Sequence, residues 1–202
     1  MPMRRITAII FLFIAFSAAP SYALERGDAL FFVQGGGVVL DGKLGELFQA
    51  DFAFGAGMGY GATDYVGLEW DVLYSEHEQS DKDKYGQLQL THGVVSLGPR
   101  LSLPGRHVSP YLTLAPFFAW TSYEARYPAG SGTDEDSLDS HGFGGLAQLG
   151  LDFYVSGGVT LGLAGRASVT WTDMEFATGA DVDNKVDVYS FYAGLVRLGL
   201  LF

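Results

Sequence analysis

The residues best suited by type to carry chemistry are His92, Ser96 and Glu69. A serine, an imidazole and a carboxylate form a hydrolytic relay when they stand within hydrogen-bond reach of one another. His92 and Ser96 are four positions apart in an alternating segment. On a strand that is ~13 Å of axial separation, at ~3.3 Å per residue. The spacing predicts no direct hydrogen bond, so no catalytic site is expected. Three acidic groups offer the oxygen donors that hard cations favour: Glu76-His77-Glu78, Asp134-Glu135-Asp136 and Asp181-Val182-Asp183-Asn184. None completes a ligand pattern, and the twelve-residue calcium loop is absent. They are expected to be solvated acidic loops, with no metal and no cofactor. Gly35-Gly36-Gly37 is followed neither by Lys-Ser/Thr nor by a helical pattern, so it is not a phosphate loop. A tightly packed or bent strand is the expectation there.

A second set of charged residues has a different character. Asp51, Glu69, Asp71, Arg100, Asp152, Arg166 and Arg197 all fall on the polar face of alternating segments, among Gly, Ser and Ala. If that face lines a narrow interior, the charges must pair, because an uncompensated buried ion costs several kcal/mol. The expectation is a polar network that fills the interior. A charged gate in a small pore is the sharper alternative. An eight-stranded barrel has an interior that side chains fill, which favours the filled network.

The elements that would position these residues follow from period-two alternation. Val66, Leu68, Trp70, Val72 and Tyr74 oppose Glu69 and Asp71. Leu112, Leu114, Pro116, Phe118 and Trp120 oppose Tyr111, Thr113 and Ala115. Phe143, Ala147, Leu149, Leu151 and Phe153 oppose Gln148, Gly150 and Asp152. Eight such segments recur, the first, near Ala29–Val39, being blurred by its glycines. They reach the ~9–11 residues that a tilted strand needs to cross a bilayer. The connections alternate in length. Long ones lie near Asp41–Glu46, Ser75–Lys84, Ala125–His141 and Met174–Asp187; tight ones lie near Gly61–Asp64, Pro104–His107 and Ser156–Gly158. Long loops on one rim and short turns on the other are the pattern of an outer-membrane barrel. Phe48, Tyr60, Trp70, Tyr74, Trp120, Tyr123, Phe153, Trp171 and Tyr192 are expected in aromatic girdles at the two interfaces.

Composition agrees. The chain has 202 residues, 48% hydrophobic and 17% charged, with 28 Gly and a net charge of −11. It is too apolar to be disordered and too acidic for a general nucleic-acid binder. With no Cys, it has no disulfide framework and no thiol chemistry. Residues 1–23 read as a cleaved signal peptide: Arg4 and Arg5, an apolar run through Phe16, and the small-x-small site Ser21-Tyr22-Ala23. The remainder, 24–202, is expected to be one all-β domain, an eight-stranded antiparallel up-and-down transmembrane β-barrel.

The signal, the eight strands, the stretch Ser96-Leu-Gly-Pro-Arg-Leu-Ser-Leu-Pro104 with Ser109-Pro-Tyr-Leu-Thr-Leu-Ala115, and the closing strand resemble the small outer-membrane β-barrel family, of the kind found in the membrane domain of outer-membrane protein A. The last strand, with Tyr192, Gly194, Val196, Leu198, Leu200 and the terminal Phe202 on one face, is similar to the signal that the barrel-assembly machinery reads. The resemblance implies a monomer in the outer membrane of a Gram-negative bacterium, among outer-membrane lipid and lipopolysaccharide. It implies little about activity, because this fold hosts adhesins, anchors, narrow pores and lipid A-modifying enzymes. The role expected is structural or surface-interactive. A porin-like pore, a lipid A-modifying enzyme and a periplasmic barrel with an apolar lumen stand as the alternatives.

Overall fold

Alternation of apolar and polar residues needs two different environments, and a closed sheet supplies an inside and an outside without leaving an edge. The computed structural model, which describes residues 24–79, 87–129, 132–155, 157–175 and 185–202, shows such a sheet. The strands are β1 (Ala29–Asp41), β2 (Asp51–Gly61), β3 (Val66–Glu78), β4 (Gln87–Ser102), β5 (Val108–Ala129), β6 (Gly132–Tyr154), β7 (Val159–Glu175) and β8 (Lys185–Leu201). Each pairs antiparallel with the next, and β1 pairs with β8 to close the barrel. This is the all-β, eight-stranded up-and-down architecture expected from the alternation.

The blurred first strand is the closing seam. Gly36 sits opposite Leu195 of β8, and a Cβ on it would stand 1.8 Å from the Gly194 carbonyl oxygen. Only glycine lets the two strands come that close. One irregularity, between Trp171 and Met174, marks a bulge in the β7–β8 ladder.

Parity follows the sequence closely through the middle of every strand. Phe54, Met58, Leu68, Leu97, Leu149 and Val196 are exposed on the outer wall, while Glu69, Asp71, Ser96, Arg100, Gln148 and Arg197 are buried inside. The molecule is thus apolar outside and polar at its centre, the reverse of a water-soluble barrel.

The rims depart from expectation in three ways. A single-turn helix, α1 (Lys43–Leu47), fills the first long connection and sinks Leu44 into the barrel mouth. Phe48 and Tyr123, expected in an aromatic girdle, are instead buried inside, edge to face at 6.4 Å. The reason for Phe48 is that β2 begins only at Asp51; Phe48 ends α1 and follows it inward. Tyr123 lies on the inward parity of β5, opposite Leu138 of β6. Finally, Ala125–His141 is not an open loop. β5 and β6 stay paired through it to Ala129 opposite Gly132. Its Asp, Glu and Ser content reflects a ladder that no longer needs an apolar face. Residues 1–23 and 181–184 lie outside the described residues.

Candidate functional site

Five strands aim charge at the same mid-height of the barrel. From β3 come Glu69 and Asp71, from β4 Arg100, from β6 Asp152, from β7 Arg166 and from β8 Arg197. Flanking glycines leave the space that these long side chains fill. Every one of the six is buried to 3% exposure or less.

Their partners form two linked clusters. In the first, Arg100 Nη1 donates to Glu69 Oε2 at 2.7 Å and Arg197 Nη2 donates to the same oxygen at 3.0 Å. The other Arg100 nitrogens reach Asp152 and Ser102. Arg197 also donates to the Tyr111 hydroxyl. Both guanidiniums lie on aromatic faces: Arg100 stands 3.8 Å from the Tyr111 centroid and Arg197 stands 3.6 Å from that of Phe32. Such stacking suits the flat, weakly hydrated guanidinium better than an ammonium. In the second cluster, Asp71 accepts from Arg166, from Ser96 and, at 2.7 Å, from Gln34 Nε2.

Gln148 joins the two. Its Nε2 donates to Glu69 Oε1 at 3.1 Å, and its Oε1 accepts from Arg166 Nε at 2.9 Å. Three carboxylates therefore meet three guanidiniums, with no formal charge left over. The pairing is what makes burial tolerable, since removing either sign would strand the other in a low-dielectric interior.

Of the seven residues singled out from the sequence, the structure thus brings six together. Asp51 stands apart. It opens β2 at the long-loop rim, is only half-buried, and accepts a hydrogen bond from its neighbour's amide, Phe52 N–H, at 2.7 Å. Gln34, Tyr111 and Gln148 were not singled out, although each has inward parity. Their signal was a large hydrogen-bonding side chain on a glycine-rich face.

The relay types do not assemble. Ser96 donates to Asp71, and Glu69 is held by two arginines. His92 sits higher, with its ring against Tyr189 and Phe191 at 5.7 and 5.1 Å. Among the described residues, no group of three or more His, Asp or Glu is arranged to hold a metal ion.

Apolar side chains cluster on both sides of the network, interleaved at the long-loop end with buried His77, Gln79, His92 and Thr170. Leu24, Leu30 and Phe32 lie towards the tight turns. Leu44, Phe48, Leu90, Tyr123, Met174 and Val186 lie towards the long loops. The closing strand holds the proposed assembly residues Tyr192, Gly194, Val196, Leu198, Leu200 and Phe202 on the outer wall, all exposed.

No family model matches the chain, and no curated protein matches it in sequence. Solved structures do match in shape. The outer membrane protein OprG from Pseudomonas aeruginosa is 14% identical with a TM-score of 0.58, over 88% of this chain and 97% of that one. Neisserial surface protein A is 16% identical with a TM-score of 0.53, over 87% and 99%. Ail, the attachment invasion locus protein of Yersinia pestis, was solved in complex with the heparin analogue sucrose octasulfate. It is 13% identical with a TM-score of 0.53, over 88% and 99%. At such identities the likeness is one of fold: that of the small eight-stranded outer-membrane barrels.

Proposed function

We propose that the chain is an integral outer-membrane protein with a structural or surface-interaction role, no enzymatic activity, and a lumen closed by its own side chains. The observation that carries this reading is the inversion of polarity. An apolar wall surrounds a charge-balanced, hydrogen-bonded centre with clusters of apolar side chains above and below it. A wall of that kind is matched to hydrocarbon, and a side-chain-filled centre of that kind supports a lumen without a continuous aqueous path. Lipid and lipopolysaccharide would contact the wall, and the barrel-assembly machinery would engage the strand ending at Phe202. The protein would work as a monomer, with no nucleic acid partner.

Surface interaction would fall to the long-loop end. There Asp41, Glu46, Glu76, Glu78, Glu124, Asp139, Asp173 and Asp187 are exposed. Lys43 donates to the Lys185 carbonyl, and Lys185 is itself bound to Asp173 and Asp187. A partner for this rim would be cationic or bridged by divalent ions. A polyanion such as the sulfated sugar bound by Ail would be repelled.

Cell fractionation followed by gel migration of unheated and heated samples tests the reading. Recovery in the outer membrane with a heat-shifted band is the expected result. A soluble periplasmic protein with no shift would overturn it. Planar bilayers test the closed lumen, and steady single-channel steps would favour the narrow-pore alternative. Mass spectrometry of lipid A after expression tests the non-enzymatic role; a changed acylation pattern would overturn it.

A further inference from the structure

Ahead of β1 the chain turns back on itself instead of trailing away. The Leu24 side chain is 3% exposed and packs with Leu30 and Phe32. Its N–H donates to the Tyr154 hydroxyl of β6 at 3.0 Å, 130 residues distant in sequence. Residues 25–28 form the bend of this hook. Glu25 N–H donates to Asp28 Oδ2 at 2.8 Å, and Asp28 N–H donates to Glu25 O at 3.1 Å. Gly27, at φ 95° in the left-handed region, donates its N–H to Gly61 O at 2.8 Å.

The barrel wall is shaped to receive the hook. A Cβ at Gly61 would stand 2.0 Å from the Glu25 carbonyl oxygen, so the bend could not lie where it does. Cβ atoms at Gly59 and Gly67 would stand 3.8 and 3.7 Å from Leu24 Cδ2; the leucine occupies the room over these two glycines. Directly inward, Phe32 carries the Arg197 guanidinium on its face. Leu24 is therefore the outermost member of the apolar layer that separates the ion network from the tight-turn mouth. Segments that precede a first strand are ordinarily loose unless something ties them down. Here contacts from β1, β2, β3 and β6 do so.

We propose that Leu24–Asp28 is a tethered plug that closes the tight-turn mouth of the barrel, and that hydrolysis of the Ala23–Leu24 peptide bond by a signal peptidase makes the Leu24 α-ammonium the donor to Tyr154. The hydrolysis consumes one water and leaves a carboxylate on Ala23 and an ammonium on Leu24. The proposal rests on the closed-lumen, exported reading above and deepens it. With the leucine seated, water is kept from ion pairs that are strongest in a dry interior.

The chain has no native cysteine, so single-cysteine variants report one site each. In the heat-shifted protein, Leu24→Cys should react with a charged maleimide at least about tenfold more slowly than Glu25→Cys, which lies exposed on the same hook. Adding Tyr154→Phe to Leu24→Cys should raise its rate several-fold while the heat shift persists. Equal rates at 24 and 25 in a heat-shifted protein would overturn the plug. The unsubstituted chain gives a second readout: a broad-specificity aminopeptidase should release Leu24 only after unfolding, and rapid release from the folded barrel would overturn seating. Intact mass of the recovered protein should place the N-terminus at Leu24; any other terminus would overturn the ammonium assignment. Failure of the exported-barrel reading would show separately, as loss of the heat shift.

Discussion

Two ion clusters in this barrel are built from the same chemistry at nearly the same distance and should matter to very different degrees. Arg100 meets Glu69 at 2.7 Å with both side chains buried, at 0% and 3% exposure. Lys185 meets Asp173 at 2.8 Å with both side chains in solvent, at 43% and 80%. Distance alone would rank them equal. What separates them is the alternative open to each ion when its partner is lost. The rim ions return to water, whereas the lumen ions have nowhere to go. Geometry describes a salt bridge, but burial decides what breaking it costs.

The sharpest way to break that comparison is Glu69→Ala. Glu69 is the shared acceptor of Arg100 and Arg197 and also takes a hydrogen bond from Gln148. Its removal leaves two guanidiniums facing each other without the carboxylate between them. The expected loss is about 3–5 kcal/mol, the usual cost of stranding a buried charge, read as a fall in the urea midpoint of refolded protein in lipid vesicles. A loss no larger than that of a rim substitution would mean that water reaches the network.

Next in size is a charge on the other side of the same wall. Leu149 is 66% exposed outside, beside Gln148, which is fully buried inside. Leu149→Arg should destabilise by ~2–4 kcal/mol, because the charge would face hydrocarbon at mid-strand. Gln148→Leu comes third. It deletes the bridge between the two clusters and unpairs part of Arg166 and Glu69, for about 1–3 kcal/mol. Both are read from the same urea midpoints. If Gln148→Leu cost more than Leu149→Arg, the wall would not be facing lipid, and the proposed membrane placement would fail.

These neighbours also show what was legible in the sequence. A strand side chain has only two directions, so one correct parity assignment orients a whole segment. Glu69, Arg100 and Arg197 could be placed on the inward face from alternation alone. Which charge meets which could not, because Arg100 on β4 reaches Asp152 on β6, two strands away, through curvature and stagger that local pattern does not encode. Phe48 and Tyr123 depart from the girdle expectation for two different reasons. For Phe48 the difference lies in a five-residue helix with weak local signals; for Tyr123 it lies in β5 itself, whose alternation puts Tyr123 on the same face as Tyr111, Thr113 and Ala115. The 125–141 segment reads as a loop because its polar composition matches one. Past the apolar belt a hairpin has no need to alternate, so the periodicity that reveals strands vanishes while the ladder continues.

The smallest effect belongs to the rim and is the control on which the comparison rests. Lys185 donates to Asp173 at 2.8 Å and lies 3.5 Å from Asp187; the hydrogen bond to Asp173 comes first among the causes that raise its pKa. A raised lysine pKa favours folding below the unfolded value, and the advantage fades only as pH climbs through the folded one. Across the neutral range the lysine is therefore charged in both states. Lys185→Gln should leave the urea midpoint at neutral pH within error of the parent, and 1 M salt should leave it unchanged too. At that ionic strength the screening length is about 3 Å, comparable to the pair itself, so whatever attraction exists is already removed in the parent. Glu69→Ala should keep its full loss in 1 M salt, because the proposed closed lumen would admit no ions. A Glu69→Ala loss that shrinks in 1 M salt would mean that ions reach the network, and the lumen would then be open to at least one side.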